Sequence, residues 1–265
     1  MSSSNRYSDD DWKNINPHVP PAYDKTAYNV IYDHHSHTNY SDGALTIKQN
    51  IEWHIAMGFN AITITDHNNM RHLEKIAKVK EEYIKKGILI TSGIEWTTIR
   101  IHLNFLGVSK WESRVPYKPK DEKIIDAINK AHDQGGIVVC NHIPWSVFEA
   151  KYENHPSRET LLEWGVDFIE IVNDDSQPEN VFDQESYDFC MEHAGEVGML
   201  TGTDMHKPDD LLSGGIHGWT LLNLNELTED ALIDELKKKR TKILYSKEPY
   251  LDPGIHEKFS RRREN

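Results

Sequence analysis

Histidines and carboxylates recur together along this chain at the ends of short apolar runs, and that pairing suits divalent metal ions. The first instance is Asp33-His34-His35-Ser36-His37-Thr38, followed by Asn39-Tyr40-Ser41-Asp42-Gly43. In extended backbone the side chains of His35 and His37 share a face about 7 Å apart, so both can reach one ion or adjacent ions. The second half of the stretch has turn chemistry and brings the Asp42 carboxylate back toward the strand end. An isolated HxH is a weak signal. It gains weight from Asp66-His67-Asn68, Gly93-Ile94-Glu95, Ile101-His102, Asn141-His142 and Gly202-Thr203-Asp204-Met205-His206 downstream. The candidate ligands are therefore His35, His37, Asp42, His67, Glu95, His102, His142, Asp204 and His206. Converging in one mouth, these groups would be too costly to bury without cations. They supply ligands for two or three divalent ions, and the mixed donors favour zinc, manganese or iron over magnesium or calcium.

The elements that must hold these residues alternate between strand and helix. Tyr28-Asn29-Val30-Ile31-Tyr32, Ala61-Ile62-Thr63-Ile64-Thr65 and Ile137-Val138-Val139-Cys140 read as strands that each deliver a histidine. So do the runs ending in Glu95, beginning near His102 and leading to Asp204. Thr46 and Gln49 form a capping box for a helix that Gly58 stops. His54 on its apolar face reads as a packing histidine, and His72, in the first turn of a charged helix from about 70 to 86, is expected at the surface. Segment 146–162 reads as a loop with helical character that could cover the site, and Val166 to Asn173 as a further strand. The pattern is a βα series of seven or eight strands, and a parallel barrel gathers strand-end residues on one rim. A doubly wound open sheet is the alternative, but no glycine-rich phosphate loop follows any strand.

The composition sets outer limits. The chain has 265 residues, 37% apolar and 28% charged, which suits one large α/β domain. We expect a polar arm over 1–26, the domain over 27–248 and a basic tail over 249–265. The net charge of −13 makes duplex nucleic acid a poor partner and leaves a small anionic substrate drawn to bound metals. No apolar run or leader suggests a membrane, and Cys140 and Cys190 do not form a disulfide scaffold, so the expected location is the cytoplasm. The sequence does not indicate an oligomeric state.

Taken in order, the motifs resemble those of the PHP (polymerase and histidinol phosphatase) domain of metal-dependent phosphoesterases, over about residues 28 to 246. The resemblance implies a distorted (β/α)7 barrel. It implies a first metal held by His35, His37, Glu95 and Asp204, a second by Glu95, His102 and His142, and a third by Asp42, His67 and His206. Asp42 stands where some relatives carry histidine. The stretches around Glu95, around His102 and over Glu170-Ile171-Val172-Asn173 look closest to the CehA/McbA-like branch, which includes carbamate and aryl ester hydrolases. Metal-assisted hydrolysis is the implied reaction, with Glu95 and His206 at its centre. A phosphoesterase is the first reading, a carboxylic ester or carbamate hydrolase the second, and a metal-binding module without catalysis the third. Arg100, two residues before His102, is the candidate contact for a substrate anion. Tyr40, Trp96, Trp145 and His217 are candidate pocket walls or, among them, a proton donor. Asp33 and Asp66 are suited to orienting imidazoles, with bonds to turn backbone as the alternative.

Overall fold

The computed structural model describes residues 20–111, 117–173, 182–208 and 217–246. The expected arm is described only from Pro20 onward, and the expected tail lies outside the described residues. Among the described residues nine strands form one sheet: β1 (Val30–Asp33), β2 (Ala61–Ile64), β3 (Leu89–Thr97), β4 (His102–Leu106), β5 (Ile137–Cys140), β6 (Phe168–Asn173), β7 (Gly198–Gly202), β8 (His217–Leu222) and β9 (Lys242–Ser246). Their order is β7-β6-β5-β4-β3-β2-β1-β8-β9. The sheet curls until β7 meets β8, where the Thr201 backbone N–H donates to Thr220 Oγ1 at 2.9 Å. This gives the nearly closed α/β barrel that the sequence predicts. β2, β5 and β6 are buried along their whole length, as continuous apolar runs covered on both faces must be.

Two strands run against the expected parallel order. β4 is antiparallel to both β3 and β5, and β8 is antiparallel to β1 and β9. The short turn between Thr97 and His102 is the cause, since a parallel return needs a crossover of a dozen or more residues. The reversal decides where the chemistry sits. β1, β2, β5 and β7 bring their C-terminal ends to one rim, and β4 brings its start, so that His102 pairs across from Thr97. Helices α1 (Ile47–Met57), α2 (Leu73–Ile84), α3 (Asp121–Asp133), α4 (Arg158–Glu163), α5 (Gln184–Glu192) and α6 (Glu229–Lys237) make up the remainder, with one π-helical turn at Trp145–Glu149. The capping box of α1 is present, and Gly58 closes that helix at φ 94°. Segment 146–162 thus contains the π turn and the start of α4, agreeing with its helical reading.

Candidate metal centre

All nine predicted ligands lie on this rim, and two of them hold it in unusual backbone. His142 (φ 25°) and Asp204 (φ 48°) occupy the left-handed region that side chains with a Cβ rarely adopt. At both points the chain turns sharply off a strand end and keeps the side chain over the barrel mouth. Glycine serves nearby contacts. A Cβ on Gly202 would overlap Glu170 Oε1, and one on Gly43 would sit 2.6 Å from the His37 carbonyl. Neither leaves room for a side chain.

Glu95 is fully buried at the middle of the group. Its Oε1 lies 3.0 Å from His102 Nδ1 and 3.3 Å from His142 Nε2. Its Oε2 lies 3.5 Å from His35 Nε2, 3.4 Å from His37 Nε2 and 2.8 Å from His67 Nδ1. Asp204 Oδ1 faces the same His35 and His37 nitrogens at 3.2 and 3.0 Å. Asp42 is more than half exposed and stands on the outer side, its oxygens 3.4 Å from His67 Nε2 and 3.5 Å from His206 Nε2. The structure therefore brings together the three predicted groups, with Asp42 across the mouth from the inner pair. Potential ligand atoms of Glu95, His102 and His142, and likewise those of His37, Asp42, His67 and His206, lie within 4.8 Å of one another.

The fit to metal ions rests on atoms left without hydrogen bonds. His35 Nε2, His37 Nε2, Glu95 Oε2 and Asp204 Oδ1 are buried, close together and not aligned as donor and acceptor. Buried polar atoms are normally satisfied, and such a set converging on one point suits a cation. Electrostatics point the same way. Burial opposes charge on Glu95, yet the imidazoles of His67, His35 and His102 hold its carboxyl well below the ordinary range. Burial likewise opposes charge on His35, but Asp204, Glu170 and Glu95 raise it well above the ordinary value. Burial also works against His67, which Glu95 and Asp42 lift to about 10. His37, by contrast, is pushed down to about 4 by burial and by neighbouring His206 and His67. The carboxylates demand positive charge, and protons supply it wherever a metal ion does not.

Several supporting residues stand outside the predicted ligand set. Glu170, buried in β6, accepts from His35 Nδ1 at 3.0 Å, from the His142 backbone N–H at 2.8 Å and from Asn173 Nδ2 at 3.0 Å. Its bond to Nδ1 leaves His35 Nε2 as the lone pair facing Glu95, so Glu170 sets the tautomer. A glutamate inside the apolar run Phe168-Ile169-Glu170-Ile171-Val172 was the available signal, because a buried charge must have partners. His34, also buried, stands 3.3 Å from Glu170 Oε1. Tyr152, for which the sequence gave no signal, places its hydroxyl 2.9 Å from His102 Nε2.

Other expectations need correction. Arg100 is not on a strand face; it lies in the turn before β4, where its guanidinium bonds the Asp121 carboxylate at 2.5 Å and the backbone carbonyls of Asn154 and Pro119. Those bonds occupy it at the loops, so a direct anion contact is not supported. Asp33 and Asp66 do bind backbone N–H groups, and the imidazoles they reach, His54 and His72, are not among the predicted ligands. Asp33 accepts from the backbone N–H groups of His35 and Thr203, and Asp66 from Thr38 N–H, Thr38 Oγ1 and Ser41 Oγ. His72 is fully buried, 3.2 Å from Asp66 Oδ2, rather than at the surface. His54 packs as expected and bonds Asp33 at 2.9 Å. Trp145 does line the mouth, its ring 5.0 Å from that of His142 and 5.4 Å from that of His102. Trp96 is buried and packs in the core instead, tilted against Phe105 and edge-on to Trp111.

An α/β barrel whose rim gathers histidines and carboxylates in overlapping groups defines a metal-binding class of protein. A model of the PHP domain matches residues 33–192, and the chain belongs to that family. It is 35% identical over 89 residues to the 5'-3' exoribonuclease Rnm of Escherichia coli, covering 31% of this chain and 29% of that protein. The Salmonella typhimurium protein of the same name is 33% identical over 93 residues, 33% of this chain and 31% of its own. The matches thus span under a third of these relatives. Among solved structures, a two-domain protein from Bacteroides vulgatus containing a predicted PHP-like metal-dependent phosphoesterase has a TM-score of 0.65 at 22% identity, over 94% of this chain and 74% of that one. PsfC from Pseudomonas syringae has a TM-score of 0.58 at 14% identity, over 89% and 98%. These likenesses concern the fold.

Proposed function

We propose that the chain hydrolyses a phosphoric ester, with a small phosphorylated metabolite or nucleotide as substrate, using two or three divalent ions of zinc, manganese or iron. The observation that carries this reading is the convergence of buried, unsatisfied imidazole and carboxylate atoms on Glu95 and Asp204. His35, His37, Glu95 and Asp204 would hold one ion, Glu95, His102 and His142 a second, and Asp42, His67 and His206 a third. Bound ions would lower the pKa of a water toward neutrality and offset the charge of the substrate oxygens. The chain's own residues do the positioning. Glu95 turns its two oxygens to different imidazoles and so joins the two inner groups. His206 donates from Nδ1 to the Asp204 carbonyl at 2.7 Å, which aims Nε2 at Asp42 on the open side, where substrate would enter.

Phosphorus is favoured over carbon at the reacting centre for two reasons. Three ligand groups suit a transfer in which charge stabilisation is most of the task. The partial likeness to an exoribonuclease also points to phosphodiesters. With a net charge of −13, a small anion is the better substrate than duplex nucleic acid. The second reading, a carboxylic ester or carbamate hydrolase of the CehA/McbA-like branch, is favoured by the resemblance around Glu170 and Asn173. The cytoplasmic location is part of the same proposal and is supported by the two free, buried cysteines. No helix among the described residues is long and apolar enough to cross a membrane.

The test is a substrate panel with metal-reconstituted protein: p-nitrophenyl phosphate, bis-p-nitrophenyl phosphate and naphthyl acetate. Turnover of a phosphorus ester, lost in a folded His142→Ala variant, is the expected result. Turnover of the acetate alone would overturn the phosphoesterase reading.

A further inference from the structure

The proposed function leaves the segment that follows the π turn without a role. Its backbone passes through left-handed conformations at Lys151 (φ 51°) and Asn154 (φ 63°), on either side of Tyr152. The Tyr152 N–H donates to the Ser146 carbonyl at 2.9 Å, and the phenol ring lies against Trp145 and His102 at the mouth. Its hydroxyl is 2.9 Å from His102 Nε2, its one hydrogen-bond partner among the described residues. His102 faces Glu95 with its other nitrogen, Nδ1. If Nδ1 is the ligating atom, a neutral His102 must carry its proton on Nε2 and donate it to the tyrosine oxygen. The tyrosine O–H is then left to donate elsewhere, from a half-buried position above the centre.

We propose that Tyr152 is a catalytic hydrogen-bond donor to an anionic oxygen of the bound substrate, and that Arg100 is the positioning residue that sets its loop. Arg100 Nε bonds the Asn154 carbonyl at 2.8 Å, two residues beyond Tyr152, while Nη1 bonds Asp121 and the Pro119 carbonyl. One guanidinium thereby fastens the Tyr152 loop to the start of α3. The substrate oxygen is a phosphoryl oxygen on the reading above, on which this inference rests.

The experiment measures binding of inorganic phosphate to the manganese-reconstituted full chain by calorimetry, alongside kcat/KM on bis-p-nitrophenyl phosphate and metal content. In Tyr152→Phe, which keeps the ring, both phosphate affinity and kcat/KM are expected to fall about 10- to 100-fold, the range for one hydrogen bond to a charged group. Metal content should stay at the wild-type value. Unchanged phosphate affinity in this variant, or loss of metal from it, would overturn the role of Tyr152 while leaving the phosphoesterase reading intact. A wild-type protein that neither binds phosphate nor turns over the diester would overturn that reading and this inference together. Arg100→Ala should weaken phosphate binding in the wild-type background and add nothing in the Tyr152→Phe background. Additive losses would show that Arg100 does not act through Tyr152.

Discussion

Glu95 and Glu170 divide the work of the centre between them, although both are buried glutamates on β-strands. Among the described residues the Glu95 carboxylate meets imidazoles and Asn141, and its Oε2 has no hydrogen bond, so it is poised to bind cations. Glu170 is saturated by donors from His35, His142 and Asn173. Burial opposes its charge, yet the imidazoles of His35 and His34 hold its carboxyl well below the ordinary range. It acts through His35. Replacing it by glutamine keeps the shape but turns one of its two acceptor oxygens into an N–H donor, facing either His35 or the His142 backbone N–H, so the arrangement that orients these two ligands is lost. Glu170→Gln is expected to weaken metal binding about 10- to 100-fold, the usual cost of removing a residue that orients a ligand. Competition with a fluorescent chelator measures it, with circular dichroism to show that the fold persists. Wild-type affinity would remove Glu170 from the account.

At the scale of the elements, the reversed β4 and the packed end of β7 place the ligands. β7 passes so close to β6 that Gly202 has no space for a methyl group beside Glu170 and His35. Gly202→Ala should therefore displace Glu170 and destabilise the protein by about 1–3 kcal/mol, as overpacking does. Urea unfolding and metal content check this, and a stable variant with normal metal content would contradict it. The sequence made the ligand set legible because each member stands at the end of an apolar run, and the period of those runs indicates strands. The pattern of a five-residue strand is the same in either direction, so the available sign that β4 runs backward was the short turn between Thr97 and His102. The burial of His72 was hidden, because its partner Asp66 belongs to another element. The sequence places Arg100 at the site because its true partners, Asn154 in a loop and Asp121 at the start of α3, are brought to it only by tertiary packing. Tyr152 had no signal at all for that reason.

Across the whole molecule, the rim concentrates chemistry at one end and leaves ordinary stabilising pairs elsewhere. One of these gives a pH dependence separate from the centre. His132 on α3 bonds Asp167 at 2.9 Å, and Asp167 in turn accepts from the Val138 N–H of β5. The bond to Asp167 raises the His132 pKa above its ordinary value of 6.5, against the opposing effect of burial. A raised folded-state pKa contributes stability in full below about 6.5 and loses it as the pH rises through the folded value. The urea midpoint of wild type relative to His132→Gln should therefore be higher in mildly acid buffer, and the gap should narrow as the buffer becomes alkaline. A gap that widens with pH would contradict the assignment.

The central claim is that the buried atoms around Glu95 form a multinuclear metal centre. The most direct measurement is the number of tightly bound manganese or zinc ions per chain, by mass spectrometry of the reconstituted and desalted protein, for wild type and Glu95→Gln. Two or three ions in the wild type and a loss of at least one in the variant are predicted. Fewer than two ions in the wild type, or an unchanged number in Glu95→Gln, would contradict it.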